Sequence, residues 1–405
     1  MNSFDENTEK YVRFYLDSLL TPEEKIADKG IYPVNPAKKF VTYVQECSGE
    51  DDYLFSYPMS IFWNVTSACN FRCVHCLYNN TEYDSTNDLS ESEAESLAEE
   101  LIDKGLTYAV LTGGEIFTRP DIMNIIHKFK SNNVALRLLT NASLIRDEQI
   151  KELAQIFNPY TDSVDISLDG ATDKTFKIIR NTDSFKCIIE NIKKLTENNI
   201  KVTTVCTANK INYSEVPEIY NLSQELGVYS FICGNTVEYN TSHEGLSLTN
   251  AELFKLYYDL EKNKTINGTN LSVNFWSVPE LLNLDEVIKI INEEHYQNII
   301  QKNYTKNITR NCNFHDKLAI QSDGTMYLCQ EAMFNKIAPL GNYKESSFEE
   351  IWKNRLNNEL FQPRKIEKMV CNECRYQKYC NSGCMVKAYL SSGTINSPQI
   401  PSCKM

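Results

Sequence analysis

Six short strand-like segments alternate with longer helix-like segments between about residues 58 and 240. The short runs are apolar or β-branched, whereas the longer stretches repeat apolar residues with helical spacing. This alternation predicts a parallel sheet with helices outside it, and such repeats can curl into a partial barrel. Chemically active side chains are then expected at the carboxyl ends of the strands. The predicted strands are Ile61–Val65, Tyr108–Thr112, Ala135–Thr140, Ser163–Leu168, Lys201–Cys206 and Tyr229–Cys233, and the predicted helices are Ser90–Lys104, Asp121–Ser131, Arg146–Phe157, Phe185–Asn198 and Ser214–Leu226.

A cysteine triplet follows the first predicted strand: Cys69, Cys73 and Cys76 have the spacing Cys-x3-Cys-x2-Cys. Three thiolates on so short a loop can hold three irons of a [4Fe-4S] cluster and leave the fourth iron without a protein ligand. The alternatives are a zinc site and a cluster with only a structural role. Zinc normally takes a closed set of four ligands, with the pairs set far apart, and this loop offers three close together. The spacing therefore favours a cluster with one open iron.

A second cysteine array occupies the last hundred residues. Its members are Cys312, Cys329, Cys371, Cys374, Cys380, Cys384 and Cys403. A zinc ribbon could use the central four, but it would leave the other three unexplained. The four remaining cysteines occur singly and are interpreted as buried, inert thiols; they are Cys47, Cys187, Cys206 and Cys233.

Together the two arrays resemble the radical S-adenosyl-L-methionine (AdoMet, SAM) superfamily, in its branch with a C-terminal SPASM domain that includes maturases of ribosomal peptides. The resemblance implies an α/β fold with a partial (β/α)6 TIM barrel. It implies that the open iron chelates AdoMet, and that one electron, from a flavodoxin or ferredoxin-type donor, cleaves AdoMet to methionine and a 5'-deoxyadenosyl radical. It also implies two auxiliary iron-sulfur clusters of the [4Fe-4S] type.

Several strand ends are similar to AdoMet contacts of that superfamily. Gly113, Gly114 and Glu115 follow the second strand and match the motif that binds the AdoMet amino group, although Ile116 replaces the usual proline. Three further candidates for AdoMet contacts, named from the resemblance, are Asn141, Ser167 and Arg180. For each of these three the alternative is a helix cap or a surface ion pair.

The resemblance also assigns ligands to the auxiliary clusters. One cluster takes Cys371, Cys374, Cys380 and Cys403, and the other takes Cys312, Cys329 and Cys384. The second cluster lacks a fourth cysteine, because residues 303–311 contain none. Its remaining iron is either open, bound to a substrate atom, or bound to a protein group such as His315, Asp316 or Glu331.

Four domains are predicted: an N-terminal segment of unknown role (1–57), a radical SAM core (58–240), a bridging region (241–310) and a SPASM domain (311–405). The first segment contains one amphipathic helix, around Glu9–Leu20, and is too short for the complete leader-binding module of many relatives. Leader recognition would then either need a separate leader-peptide-binding protein or not occur. The sequence starts without a signal peptide and has no apolar run long enough to span a bilayer, so a cytoplasmic location is expected.

Two functions are compatible with these observations, and a net charge of -13 argues against nucleic acid as a partner. The first is a maturase that acts on a ribosomal peptide or protein, by thioether or carbon–carbon cross-linking or by side-chain oxidation. The second is an enzyme acting on a small molecule such as a tetrapyrrole or an amino sugar. Sulfatase maturation is disfavoured because Gln330, and not aspartate, follows Cys329. A metal-binding scaffold without activity is disfavoured by the intact Gly113–Glu115 motif.

Overall fold

A single ten-stranded sheet organises the protein. The computed structural model describes residues 57–77, 84–236, 244–267, 272–275, 317–362, 369–373 and 384–397. Within these residues the strand order is β10-β9-β8-β1-β2-β3-β4-β5-β6-β7. The strands are β1 Ser60–Asn64, β2 Tyr108–Thr112, β3 Ala135–Thr140, β4 Ser163–Ser167, β5 Val202–Ala208, β6 Ser230–Asn235, β7 Ser272–Phe275, β8 Lys317–Ile320, β9 Thr325–Tyr327 and β10 Gly341–Asn342.

Helices connect the strands of the central, parallel part of this sheet. The helices of the described residues are α1 Glu91–Asp103, α2 Ile122–Ser131, α3 Asp147–Ile156, α4 Asp173–Arg180, α5 Phe185–Glu197, α6 Val216–Glu225, α7 Asn250–Asn267, α8 Gln330–Phe334, α9 Phe348–Asn354 and α10 Met385–Ser392. Neighbouring strands from β1 to β6 pair in parallel, with at least one helix between each pair. This arrangement confirms the predicted α/β fold with a (β/α)6 core.

Local signals explain where these elements begin. Ser90 caps α1 in a capping box with Glu93, since the Ser90 side chain accepts from Glu93 N and the Glu93 carboxylate accepts from Ser90 N. Thr172 caps α4, and Asn181 ends that helix with a left-handed backbone, φ 52°. Helix α4 and strand β7 were not predicted, because both are short and α4 is rich in charged residues. The predicted helix around Glu9–Leu20 lies outside the described residues.

Apolar side chains cover the face of the sheet that contacts the helices. The Trp63 ring of β1 packs edge-on against Phe129 of α2, with the ring centroids 6.3 Å apart. On the far side of the core, Tyr220 of α6 and Phe231 of β6 meet in the same way at 5.7 Å. Burying each such side chain contributes roughly 1.5 to 3 kcal/mol. The helices are thereby fixed to the sheet, and the strand ends are held in place.

The C-terminal hairpin extends the same sheet. Strand β8 pairs in parallel with β1, and β9 returns antiparallel to β8. The Asn64 amide at the end of β1 donates to Gln321 Oε1 at 3.0 Å, and Leu89 N donates to Ser322 O at 2.6 Å. The hairpin that precedes Cys329 is therefore attached directly to the strand that precedes the cysteine triplet.

Two further expectations concern isolated cysteines and membrane spans. Cys206 and Cys233 are buried, as predicted, but the prediction is wrong for Cys187, which is exposed on α5. Cys47 lies outside the described residues. Within the part of the chain that the structure describes, none of the helices combines the length and apolar character needed to cross a membrane.

Candidate functional site

The loop that carries the cysteine triplet starts at the carboxyl end of β1 and is fixed first by Asp88. The Asp88 carboxylate accepts hydrogen bonds from Thr66 Oγ1 at 2.7 Å, from Ser67 N at 3.0 Å and from Ser67 Oγ at 2.7 Å. Carboxylates that accept several hydrogen bonds hold a loop firmly. The sequence analysis missed Asp88, and only its position in the structure shows this contact.

Arg119 stabilises the same loop through hydrogen bonds to main-chain carbonyl groups. The side chain is buried, and its Nη1 donates to Val65 O and to Leu89 O, both at 2.9 Å. Asp121 accepts from Arg119 Nη2 at 2.8 Å and balances the buried charge. Arg119 therefore joins the end of β1 to the segment that carries Asp88.

The two glycines after β2 pack directly against this loop. A Cβ on Gly114 would lie 2.2 Å from Ala68 O, and one on Gly113 would lie 2.5 Å from Thr66 O. Gly114 N donates to Thr66 O, and Glu115 N donates to Ala68 O, each at 2.8 Å. Both glycines are thus needed for backbone to approach backbone. Their predicted contact with AdoMet stays a prediction.

Glu115 is buried between the ends of β2 and β3, with 1% of its surface exposed. Its Oε1 accepts from Thr140 Oγ1 at 2.6 Å and Phe117 N at 3.1 Å, and its Oε2 accepts from Asn141 N at 2.6 Å. Burial raises the pKa of Glu115, and these three donors oppose that rise. The carboxylate therefore has a structural role, in addition to the predicted contact with the AdoMet amino group.

Asn141 joins β3 to the cysteine loop. Its Nδ2 donates to Asn70 Oδ1 at 2.9 Å, and its Oδ1 accepts from Ser143 N at 2.9 Å. Ser167 ends β4 and is partly exposed. Both residues thus lie at the carboxyl ends of strands, as the resemblance implies for AdoMet contacts.

Arg180 ends α4 and reaches the second half of the cysteine loop. The guanidinium is nine-tenths buried and forms an ion pair with Asp169 through Nη2. Its Nη1 donates to Cys73 Sγ at 3.6 Å. Among the described residues, Arg180 Nε is buried without a hydrogen-bond partner. The structure thus brings Arg180 to the triplet, and it adds Asp169, a residue that the sequence analysis did not single out.

The thiols of the triplet are partly buried and influence one another. The pKa of Cys69 is raised to about 11, mainly by burial and also by the nearby Glu115, Cys73 and Cys76. Phe71 N, which donates to Cys69 Sγ at 3.4 Å, opposes this rise. Burial likewise raises the pKa of Cys73, against the positive charge of Arg180. Three soft ligands with N–H donors directed at two of the sulfurs fit an iron-sulfur cluster.

Ligands of a cluster bind different irons, so they lie further apart than the ligands of one ion. Within the described ranges, no three His, Cys, Asp or Glu side chains lie close enough together to hold a single metal ion. The residues of the triplet nonetheless lie on one short loop, between the Gly113–Glu115 turn and the end of α4.

The second array is described in part. Cys329 follows β9 and caps α8, where Ala332 N donates to its Sγ at 3.4 Å. The pKa of Cys329 is raised to about 12, mainly by burial and also by the nearby Cys384 and Glu331. Cys329 and Cys384 are therefore close together, as their assignment to one cluster requires. Cys371 lies in a 3₁₀ turn at Val370–Glu373, and the remaining members lie outside the described residues; they are Cys312, Cys374, Cys380 and Cys403.

Comparison with known proteins supports this organisation. Residues 63–223 match the radical SAM superfamily, and residues 312–375 match the iron-sulfur cluster-binding domain called SPASM. Each span falls inside one of the four domains predicted from sequence, whose own boundaries stay predictions.

Relatives match most of the chain. The AdoMet-dependent heme synthase of Methanosarcina barkeri is 24% identical over 351 residues, which cover 83% of this chain and 93% of that protein. The antilisterial bacteriocin subtilosin biosynthesis protein AlbA of Bacillus subtilis is 24% identical over 397 residues, 96% of this chain and 79% of that protein. The crystal structure of Streptococcus suis SuiB bound to precursor peptide SuiA superposes with a TM-score of 0.67 at 18% identity, over 91% of this chain and 80% of that chain. The likeness to SuiB shows a shared fold.

The two matched domains define the cofactors. A radical SAM domain binds a [4Fe-4S] cluster and AdoMet, and a SPASM domain binds auxiliary iron-sulfur clusters. The partly buried thiols at the end of β1 and after β9 fit these groups. The chain therefore contains a radical SAM domain followed by a C-terminal SPASM domain, and it is an enzyme.

Proposed function

We propose that the protein is a maturase that modifies a ribosomally made peptide, by forming a thioether or carbon–carbon cross-link or by oxidising a side chain. The observation that carries this proposal is the attachment of the C-terminal hairpin to β1. Because β8 pairs with β1, the loop of the triplet and the region of Cys329 belong to one continuous sheet. A substrate bound there can be served by both cysteine arrays.

The residues of the triplet have one role each in this proposal: Cys69, Cys73 and Cys76 each hold one iron. When bound, the cluster supplies an electron, received from a flavodoxin or ferredoxin-type donor, that cleaves AdoMet and produces the 5'-deoxyadenosyl radical. The chain itself fixes the loop through backbone hydrogen bonds from Gly114 and Glu115. Such a fixed loop would hold a cluster bound to the triplet in one position relative to the strand ends.

The remaining candidates orient AdoMet. Asn141 and Ser167 lie at strand ends, where the amino-acid and ribose parts of AdoMet would be in reach. Arg180 Nε is a buried donor that has no hydrogen-bond partner among the described residues, and the AdoMet carboxylate would supply the missing acceptor. A guanidinium is suited to this task because its N–H groups form a planar fork.

A peptide substrate is supported by the relatives. AlbA, a protein of bacteriocin biosynthesis, aligns with 96% of this chain, and SuiB, whose structure contains a precursor peptide, shares the fold. The sheet is also open among the described strands, since β7 and β10 are its two edges. An open sheet leaves a lateral entrance for a long substrate.

A tetrapyrrole is the second candidate substrate. It is favoured by the heme synthase of Methanosarcina barkeri, of which this chain covers 93%. An Fe-coproporphyrin III synthase of the same organism is 25% identical over 355 residues. Both candidate functions begin with the cleavage of AdoMet. They differ in the substrate from which the 5'-deoxyadenosyl radical removes a hydrogen atom.

One experiment tests the class and the substrate in turn. Anaerobic reconstitution should give three clusters, about 12 irons per chain. Replacing Cys69, Cys73 and Cys76 with alanine, which we term the triple-alanine variant, should remove about a third of this iron and all release of 5'-deoxyadenosine. Cys187→Ala, at the exposed cysteine outside both arrays, is the matched control and should change neither quantity.

Substrate is then identified by mass spectrometry. The reconstituted enzyme is incubated with AdoMet and reductant, and with either a short precursor peptide encoded beside its gene or iron-coproporphyrin III. A mass change in the peptide alone supports the maturase. Conversion of the porphyrin alone would replace the first candidate with the second, and release of 5'-deoxyadenosine from the triple-alanine variant would contradict both.

A further inference from the structure

A buried ion pair lies directly behind the cysteine triplet. Asp169 has no exposed side-chain surface, and the Arg180 side chain is only 10% exposed. Asp169 Oδ1 also accepts from Thr207 N at 2.6 Å, which fixes the carboxylate to β5. Arg180 is in turn fixed to the carboxylate. Since an unpaired buried charge is costly, the pairing stabilises both side chains in this position.

Two side-chain contacts join the pair to the loop around Cys73. Arg180 Nη1 donates to Cys73 Sγ at 3.6 Å, and His75 Nε2 lies 3.5 Å from Asp169 Oδ2. Next to them, Val74 N donates to Ile179 O at 2.9 Å. The loop from Cys73 onward is therefore docked on the end of α4, with a guanidinium facing one sulfur.

The guanidinium is the charged group in direct contact with the Cys73 sulfur. An arginine guanidinium is not deprotonated in proteins. Arg180 Nη1 lies 3.6 Å from Cys73 Sγ, whereas Asp169 pairs with Arg180 through Nη2. The charge in contact with this sulfur is therefore positive.

A cysteine sulfur becomes more negative when a cluster bound to it gains an electron. Hydrogen bonds to the sulfurs and nearby charge are among the factors that set the reduction potential of an iron-sulfur cluster. A fixed positive donor at Cys73 stabilises the reduced form more than the oxidised form. In this step one electron arrives from an external one-electron reductant, and no bond or proton changes place.

We propose that Asp169 and Arg180 act as a tuning pair, which positions a cationic donor on the Cys73 sulfur and thereby makes a cluster bound to the triplet easier to reduce. Asp169 is a positioning residue that acts through Arg180. The inference rests on the proposed function, because it requires a cluster at Cys69, Cys73 and Cys76.

The test is a redox titration without AdoMet, followed by electron paramagnetic resonance of the reduced cluster. Subtracting the spectrum of the triple-alanine variant isolates the signal of the triplet. Arg180→Gln removes the charge, and Arg180→Lys retains it without the planar fork. Lys177→Gln is the matched control, since it removes one positive charge from the exposed face of the same helix.

In Arg180→Gln we expect the ratio of reduced to oxidised cluster at a fixed poise to fall about tenfold, which is a potential lower by about 59 mV for one electron. Arg180→Lys should recover part of this loss, and Lys177→Gln should titrate like the wild type. An unchanged potential in Arg180→Gln with full iron content would overturn the tuning pair, as would an equal shift in Lys177→Gln. Wild-type protein without iron at the triplet would instead contradict the proposed function.

A second measurement needs no change at Arg180. Protein labelled with 15N-arginine, in an Arg72→Lys background that removes the other arginine of the loop, is studied by electron spin echo envelope modulation. The reduced cluster should show an arginine nitrogen coupling, because Nη1 lies 3.6 Å from Cys73 Sγ. The absence of any arginine coupling would overturn the proposal, even if Arg180→Gln failed to fold.

Discussion

Replacing Gly114 with alanine should separate the Gly113–Glu115 turn from the loop of the triplet. The new Cβ would lie 2.2 Å from Ala68 O and 2.6 Å from Ala68 C, whereas ordinary contact begins at 3.4 Å. The two backbones must therefore move apart by about 1 Å, the difference between these contacts. Neither partner is a flexible side chain, so the strain cannot be relieved by a rotamer change.

The loss of free energy of unfolding can be estimated from the contacts that this movement breaks. Two backbone hydrogen bonds of 2.8 Å, from Gly114 N and Glu115 N, would lengthen beyond useful range. Each contributes about 1 kcal/mol net, and overpacking adds about 1 to 3 kcal/mol. We expect Gly114→Ala to lower the free energy of unfolding by about 3 to 5 kcal/mol in total. Cys69 follows Ala68 directly, so the iron of the triplet should be lost as well.

Anaerobic denaturant unfolding and iron analysis measure the two effects. Gly227→Ala is the matched control: its φ of +70° strains any side chain, but a Cβ there has nothing within 4 Å. It should cost about 1 to 2 kcal/mol and leave the iron content intact. The reasoning is refuted if Gly114→Ala keeps its iron and unfolds like Gly227→Ala.

Three further predictions concern the loop of the triplet and, in the last of them, Cys329 as well. Glu115→Gln places an amide donor among three donors in a buried site. The free energy of unfolding should therefore fall by about 1 to 3 kcal/mol. A calorimetric scan that matches the wild type would contradict this expectation. Asp88→Ala frees Thr66 and Ser67 and should cost about 1.5 to 3 kcal/mol in denaturant unfolding, whereas Asp84→Ala, at an exposed cap, should cost less. The pKa of Cys69 is raised to about 11 and that of Cys329 to about 12, so both thiols carry protons at neutral pH. Cluster assembly should therefore release protons and become more favourable from about pH 7 to pH 9. A pH-indicator measurement that shows no proton release would disprove this prediction.

Local patterns in the sequence were sufficient for the strands of the core. The structure reproduces the predicted Tyr108–Thr112 and Ala135–Thr140 without change, because each is an apolar run between two amphipathic helices. Helix α4 escaped prediction because its eight residues are few for a periodic pattern. Strand β7 escaped prediction for a similar reason, since a run of four residues is short for a strand signal.

The candidate functional site could be predicted only in part from the sequence. The spacing of Cys69, Cys73 and Cys76 is visible in ten residues, so the triplet could be identified from sequence. The contact of Arg180 with Cys73 joins residues 107 positions apart, and the hydrogen bond from Asn64 to Gln321 spans 257 positions. No local pattern encodes such distances. The partners of Arg180 and the attachment of the hairpin to β1 therefore required the fold.

The pairing of β8 with β1 has a consequence for attempts to shorten the protein. Strand β1 lies between β2 and β8, so deleting the chain after residue 310 would expose the whole hydrogen-bonding edge of β1. Unprotected edges invite intermolecular pairing and aggregation. The deletion would also remove Ser322, whose carbonyl accepts from Leu89 N beside the Asp88 segment. The core therefore depends on residues 311–405 for its stability. A protein truncated after residue 310 should aggregate and lose its iron, even though every cysteine of the triplet would still be present.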